Sequence, residues 1–317
     1  MKRRHVLKLG VAATAAAAFM PTRYLFAAAK YRFGFSQVTT VEPWRVQFNK
    51  DMKKEAEQHP ELELLIADGQ DKTEKQVADV ETFISQGVDV LLISPKESAG
   101  LTPVTLKAIE AKIPVIILDR NVNTDKYTQF IGGDNVVIGR AAGAYAVKII
   151  GNGATAGIVE IWGGLGTQAS HDRSNGFHEN ADKIANVKFL LQQMDGDWKQ
   201  AKAYDIMQTA LKANEKIDLV YGHNDPMAYG AYLAAKDAGR EKEMKFLGVD
   251  GIPDEGVKWV HNGQLTATFL YATPGAEGVR QGLKLMAGQT IEKKITLPTE
   301  TIDASNADEI LKKNGLL

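Results

Sequence analysis

No cysteine occurs anywhere in the 317 residues. That excludes disulfides, thiolate metal sites, a cysteine nucleophile and a lipid-modified cysteine behind an export signal. Net charge is almost absent as well, with 38 Lys and Arg against 39 Asp and Glu. Catalytic signatures are missing too: the chain contains neither HExxH nor GxSxG. Gly163-Gly164-Leu165-Gly166 follows an apolar run, but it lacks the GK[ST] ending of a P-loop and the spacing of a dinucleotide fingerprint. Asp195-Gly196-Asp197 could open a calcium loop, yet Trp198 and Lys199 follow where further ligands should stand. No metal site and no cofactor are expected. His171 and His223 read as loop histidines before they read as general bases.

The first residues differ from the rest. Lys2-Arg3-Arg4-His5-Val6-Leu7-Lys8 leads into an Ala-rich apolar run, Leu9 to Met20, and Ala27-Ala28-Ala29 precedes Lys30. The run is too short to span a bilayer. A basic start, a short apolar core and small residues at a boundary describe a removable export signal over residues 1–29. Arg3-Arg4-x-Val6-Leu7-Lys8 looks like a twin-arginine signal; the general secretory route is the alternative. Removing that segment takes away five basic residues and no acids, which leaves 33 against 39 and a net charge of −6. An acidic product is poorly suited to a nucleic-acid backbone. A soluble periplasmic protein without stable membrane insertion is expected.

From Tyr31 the pattern alternates strand and helix. Apolar strands are predicted at Arg32–Val38, Leu62–Ala67, Val88–Ser94, Val115–Leu118 and Gln129–Gly132, with helices at Arg45–Gln58, Thr73–Gln86, Ala99–Lys112 and Asn135–Ile150. The pattern then restarts. Strands are predicted at Ala154–Trp162, Val187–Gln192, Ile217–Tyr221, Phe246–Val249 and Leu265–Tyr271, with helices at Asp172–Ile184, Lys199–Ala213, Pro226–Ala238 and Glu255–Asn262. In this reading Gly151-Asn152-Gly153 is a turn, and Asp172 caps the helix that carries Gly176-Phe177. Such alternation implies βαβ units and an α/β fold of two doubly wound, parallel-sheet (Rossmann-like) domains. The tail adds a helix at Arg280–Met286, a strand at Lys294–Leu297 and a Lys-rich final helix. It is too small for a third domain. The expected division is residues 30–132 plus 274–296 and residues 133–273 plus 297–317, joined by a multi-strand hinge around a ligand cleft.

Polar residues stand at nearly every predicted strand end. In the first unit these are Ser36-Gln37 with Trp44-Arg45, then Asp68-Gly69-Gln70, Ser94-Pro95 and Asp119-Arg120. In the second they are Trp162 then Asp172-Arg173, Asp195-Gly196-Asp197-Trp198, His223-Asn224-Asp225 and Asp250-Gly251. Ligands of open α/β sheets bind beyond the carboxyl ends of the strands. Carboxylates accept from hydroxyls, Arg donates to two oxygens in one plane, and Asn does both. Trp44 and Trp198 could cover opposite faces of one ring, although local packing at a strand-to-helix turn explains each as well. Loop capping explains Asp68, Ser94 and Asp225 as well as a ligand does. Asp119 and Arg120 are expected to pair with each other while facing the ligand.

Gly34-Phe35-Ser36-Gln37, Ala67-Asp68-Gly69-Gln70, Leu118-Asp119-Arg120, His223-Asn224-Asp225-Pro226-Met227 and Val249-Asp250-Gly251-Ile252-Pro253-Asp254 resemble motifs of type I periplasmic solute-binding proteins of the pentose and hexose class. The similarity covers essentially all of the chain after the signal and extends to galactofuranose-binding subunits of ABC sugar importers. It implies a first binding loop of Ser36, Gln37, Trp44 and Arg45, and a polar ring of Asp119, Arg120, Arg173, Asn224 and Asp250. It also implies a stacking aromatic at Trp198 and a polar contact near Tyr271. The partners it implies are a monosaccharide and importer permease subunits, with the protein itself a monomer and not an enzyme. A receptor feeding a sensor kinase or chemoreceptor, and a sugar-modifying α/β enzyme, are the alternative readings.

Overall fold

Two apolar tetrapeptides, Val90–Ile93 (β3) and Val115–Leu118 (β4), are buried at every position. This is the signature of central parallel strands covered on both faces. The computed structural model describes residues 30–151 and 155–317. The predicted export signal, the Asn152-Gly153 turn and Ala154 at the head of its predicted strand lie outside them. Around β3 and β4 stand β1 (Tyr31–Gln37), β2 (Leu62–Asp68), β5 (Gln129–Gly133) and β11 (Lys294–Leu297), in the order β11-β5-β4-β3-β1-β2. All of these pairings are parallel.

The second sheet repeats that order. It contains β6 (Ala156–Trp162), β7 (Val187–Asp195), β8 (Leu219–Gly222), β9 (Lys245–Asp250), β10 (Ala267–Leu270) and β12 (Thr301–Asp303), arranged β12-β10-β9-β8-β6-β7. Only β12 runs antiparallel to its neighbour. Each predicted five-strand unit is therefore six-stranded, because the C-terminal segment adds one edge strand to each sheet. The three-residue β12 was not anticipated.

Helices α1 (Pro43–Ala56), α2 (Thr73–Gln86), α3 (Ser98–Glu110) and α4 (Asn135–Ile150) follow the first strands. Helices α5 (Gln168–Ala181), α6 (Gln200–Ala213) and α7 (Asp225–Asp237) follow β6, β7 and β8. Pro43 occupies the first turn of α1, where its missing N–H costs nothing. Asp134 caps α4 by accepting from the Val136 and Val137 N–H groups, and Asn224 caps α7 by accepting from Met227 N–H. Helix α5 begins earlier than expected: Thr167 precedes it, and Asp172 lies inside it, accepting from Gln168 Nε2 at 2.8 Å rather than capping. The helix predicted at Glu255–Asn262 is a π turn at Pro253–Val257 followed by the one-turn α8 (Lys258–His261). The chain closes with α9 (Gly275–Met286) and α10 (Ala307–Lys313).

The chain passes between the sheets after Gly133, after Leu270 and after Leu297. One buried apolar cluster runs from Phe33 and Leu118 through Ile138 and Ala142 to Phe177 and Phe269, so the two sheets share core. Helices α4 and α5 cross with glycines at their contacts. A Cβ on Gly139 would come within 2.1 Å of the Arg173 carbonyl oxygen, and one on Gly176 within 2.1 Å of the Val136 carbonyl oxygen. This close approach sets the height at which Arg173 leaves α5.

Candidate functional site

Beyond the carboxyl ends of both sheets lies a small cavity lined by Glu42, Trp44, Arg45, Asp119, Arg120, Ala169, Arg173, Trp198, Asn224, Asp250 and Tyr271. Its lining residues come from strand ends, the connections that follow them and the opening turns of α1 and α5, in both halves, as the topology requires. Arg120 and Trp198 separate it from a larger cavity of about 500 Å³ beside Val41, Leu165 and Lys199.

On the first-sheet side the organising contact is a buried ion pair. Arg45 Nη2 lies 2.7 Å from Asp119 Oδ2, with each side chain 2% exposed. Asp119 follows β4 with φ at 69°, a conformation that costs a side-chain-bearing residue energy and commonly marks functional sites. Burial alone would push the Asp119 carboxyl up, but the Arg45 and Arg120 guanidiniums outweigh it and hold the group below the usual range. The expected pairing of Asp119 with Arg120 is present, but it is longer than the one with Arg45. Arg120 Nε stands 3.8 Å from Asp119, and its guanidinium lies 5.5 Å from the Trp198 ring centroid, across the cavity. Arg45 can reach Asp119 because α1 opens directly after the β1 loop and carries it inward. Ser94 Oγ completes the group by accepting from Arg45 Nη1 at 2.8 Å.

Ser36 and Gln37 do not line the cavity. Both are fully buried at the end of β1. Gln37 Oε1 faces Arg45 Nη1 at 3.4 Å and its Nε2 donates to Asn49, while Ser36 Oγ accepts from Gln76 Nε2. They back the wall. Trp44 does line it, but not as one half of an indole sandwich. Its ring stacks on Tyr271 at 5.0 Å, the Arg45 guanidinium lies 4.8 Å from its centroid, and its Nε1 donates to the Tyr271 carbonyl at 2.7 Å. Tyr271 in turn donates its hydroxyl to Asp119 Oδ1 at 2.5 Å, and its pKa is pushed up by burial and by the Asp119 charge. A residue in the crossover after β10 is thereby tied to β4 and α1.

The second-sheet side is built around Arg173. Its Nε donates to Asn135 Oδ1 at 2.9 Å, its Nη1 donates to the His223 carbonyl, and its guanidinium lies 4.6 Å from the Tyr271 centroid. Asn224 donates to the Trp198 carbonyl at 3.1 Å. Trp198, with φ at 62°, lies against Gly163: a Cβ there would come 2.3 Å from the indole. The Gly-rich turn after β6 is thus a seat for an aromatic ring. Asp250, with φ at 133°, is 6% exposed at the end of β9. Burial, and then the charge of Asp225, push its pKa well above the ordinary value.

Behind Asn224 the two histidine readings separate. His223 is fully buried, with Nε2 3.0 Å from Glu160 Oε1 and its ring stacked on Trp162 at 5.6 Å. Glu160 is also held by His178 Nε2 at 3.1 Å. Burial would raise the Glu160 pKa, but the hydrogen bonds from His178 and His223 lower it to about 2. Hydrogen bonding to Glu160 raises His178 to about 9. His171 is exposed, with Nε2 2.9 Å from the Leu165 carbonyl.

Residues 33–290 match the periplasmic binding protein domain. The chain belongs to that family. This periplasmic binding protein is 35% identical over 300 residues to the galactofuranose-binding protein YtfQ of Escherichia coli K12, covering 90% of this chain and 93% of the relative. Among solved structures, a fructose-binding periplasmic domain of a hybrid two-component system superposes with a TM-score of 0.85 at 35% identity, covering 90% of this chain and 94% of the other. The binding component of the arabinose ABC transporter from Shewanella sp. ANA-3, bound to α- and β-L-arabinofuranose, gives a TM-score of 0.82 at 33% identity, covering 89% and 95%. The fold is that of the type I class.

Glu42, Asn135 and Ala169 are the parts of this site that strand-end reasoning did not reach. Glu42 immediately precedes α1 and Asn135 opens α4, so both stand at helix starts rather than strand ends. In this periplasmic binding protein the cavity lining carries three guanidiniums, of Arg45, Arg120 and Arg173, against three carboxyls, of Glu42, Asp119 and Asp250. Among the described residues no helix is long and apolar enough to cross a membrane.

Proposed function

We propose that the protein is an exported receptor that closes around a neutral monosaccharide, a hexose or pentose of the galactofuranose type, and delivers it to the permease of an ABC importer. The observation that carries this reading is the cavity lining: guanidiniums and carboxyls in equal number, with the Asn224 amide, drawn from both sheets. Such a lining donates to and accepts from a ring of hydroxyls. An ionised ligand would leave one buried charge unmatched, which is costly. Tyr271 and the indoles offer apolar surface to the C–H faces of a sugar ring. Similarity to a galactofuranose-binding protein and to an arabinofuranose-bound importer component supports the furanose preference.

In this reading residues 30–132 with 274–296 form one lobe and residues 133–273 with 297–317 the other. The crossings after Gly133, Leu270 and Leu297 serve as the hinge about which the lobes close. The export signal is removed, and the product works in the periplasm as a monomer. The sugar leaves chemically unchanged.

The test is a thermal-shift and calorimetric screen of residues 30–317 against pentoses, hexoses in both ring forms, and small polyols. A ligand that binds only the native state raises the melting temperature by mass action. An affinity near micromolar, about −8 kcal/mol, is expected. Asp250→Ala should weaken the cognate sugar by about 1–3 kcal/mol. No shift at millimolar sugar across the panel would contradict the reading. The similarity to a domain of a hybrid two-component system favours a second reading, a receptor that feeds a sensor. Loss of labelled-sugar uptake on gene deletion supports the importer. Unchanged uptake with loss of sugar-induced kinase phosphorylation supports the sensor.

A further inference from the structure

We infer that Asp225, buried behind the cavity wall, is the positioning residue for Asp250. The inference rests on the proposed sugar site only for its effect on affinity. Asp225 follows the cavity residue Asn224 but is itself 1% exposed and lies outside the lining. Its Oδ2 accepts the Gly251 N–H at 2.9 Å, an N–H it shares with the Thr268 hydroxyl oxygen at 3.2 Å. Its Oδ1 finds no partner among the described residues. The carboxyl fills space that only glycines leave. A Cβ on Gly248 would come 2.1 Å from Oδ1, and one on Gly256 1.8 Å from Oδ2.

Gly251 is the residue after Asp250, whose φ of 133° is strained for any side-chain-bearing residue. Such a conformation persists only where its surroundings hold it. The bond from the Gly251 N–H to Asp225, the shorter of the two that this N–H makes, holds the turn together with Thr268 Oγ1 at 3.2 Å and the Tyr271 N–H on the Asp250 carbonyl at 3.0 Å, and with it the direction of the Asp250 carboxyl at the cavity.

The charges around the two carboxyls are uneven. From α5 the Arg173 guanidinium faces both, from the π turn Glu255 adds negative charge to both, and Glu42, ahead of α1, adds negative charge to Asp250. Burial pushes Asp225 up to about 7, while burial and then Asp225 push Asp250 well above its ordinary value.

The test compares wild type, Asp225→Asn and Asp225→Ala. With L-arabinose and D-galactose as probes, Asp225→Ala should lose about tenfold or more in affinity and Asp225→Asn, which keeps an acceptor for the Gly251 N–H, should restore most of it, in line with loss and recovery of one hydrogen bond to a charged group. Asp225→Ala binding like wild type, or Asp225→Asn losing as much as Asp225→Ala, would overturn the positioning role. Should neither sugar bind wild type, the proposed function fails, and a ligand-free crystal structure of Asp225→Ala still decides: a turned Asp250 carboxyl is expected, and one that keeps its wild-type direction would overturn the role.

Discussion

Replacing Arg173 with lysine keeps the charge of the site and removes its fork. Arg173 serves Asn135 through Nε and the His223 carbonyl through Nη1, which leaves Nη2 for a ligand oxygen. One ammonium cannot hold this spread, planar set of partners. A lost charge-assisted hydrogen bond to the sugar is worth about 1.5–3 kcal/mol, or roughly a 10- to 150-fold rise in Kd at 1.4 kcal/mol per tenfold. The protein partners add a second effect. Asn135 Oδ1 or the His223 carbonyl would lose its donor in a buried setting, at about 1–3 kcal/mol of stability. Titration calorimetry reads the first effect and denaturant unfolding of the ligand-free protein reads the second. Arg173→Lys that binds the cognate sugar within threefold of wild type would refute the direct contact, even if stability fell as expected.

Asp119→Asn should cost about 3–5 kcal/mol of stability, because Arg45, 2% exposed, would keep its charge with only Glu42, 3.5 Å away, in partial compensation; urea unfolding measures it. The Glu160–His178 pair predicts a two-sided pH profile. His178, raised to about 9, contributes stability that is fully present below about pH 6.5 and lost as pH rises toward 9. Glu160, lowered to about 2, contributes stability present above about pH 4.5 and lost as pH falls toward 2. His178→Gln should remove about 1 kcal/mol near pH 6, the half-exposed histidine being screened by solvent, and little at pH 10, as thermal melts across that range would show. Asp71, beside Lys96 at 2.5 Å, also faces Lys199 of the other side at 3.9 Å. Asp71→Asn should speed sugar release by about two- to fivefold at low salt, as expected for an exposed ion pair worth under about 1 kcal/mol, and not at 1 M salt; stopped-flow fluorescence of Trp198 reports it.

The regular parts of the fold were legible because their signals are local. Helices α2 and α4 match their predicted bounds, with Gly87 ending the first in the left-handed conformation and Asp134 capping the second. The buried run of β4 needs no context to be recognised. Errors arose where a local signal competed with tertiary packing. Asp172 looks like a cap, yet α5 starts before it because Ala169 and Ser170 are buried there. The edge strand β12 is too short to carry a pattern and exists because β10 offers it a partner. At the site, the strand-end argument reached residues on both sides of the cavity but could not see which charges pair. Arg45 meets Asp119 across 74 positions, a relation that only the packing of α1 against the β4 end creates. Ser36 and Gln37 failed for a related reason: their side chains are taken up by Gln76, Arg45 and Asn49 before they can face the cavity.

If the proposed function holds, one sugar molecule sits between the two sheets and is held by charged groups of both. A crystal structure of residues 30–317 grown with the sugar that gives the largest thermal shift would locate it. A ring is expected in the cavity between Trp198 and Tyr271, with hydroxyls hydrogen-bonded to Asp119 or Arg120 on one side and to Arg173, Asn224 and Asp250 on the other. Sugar density outside this cavity, or contacts confined to one sheet, would contradict it.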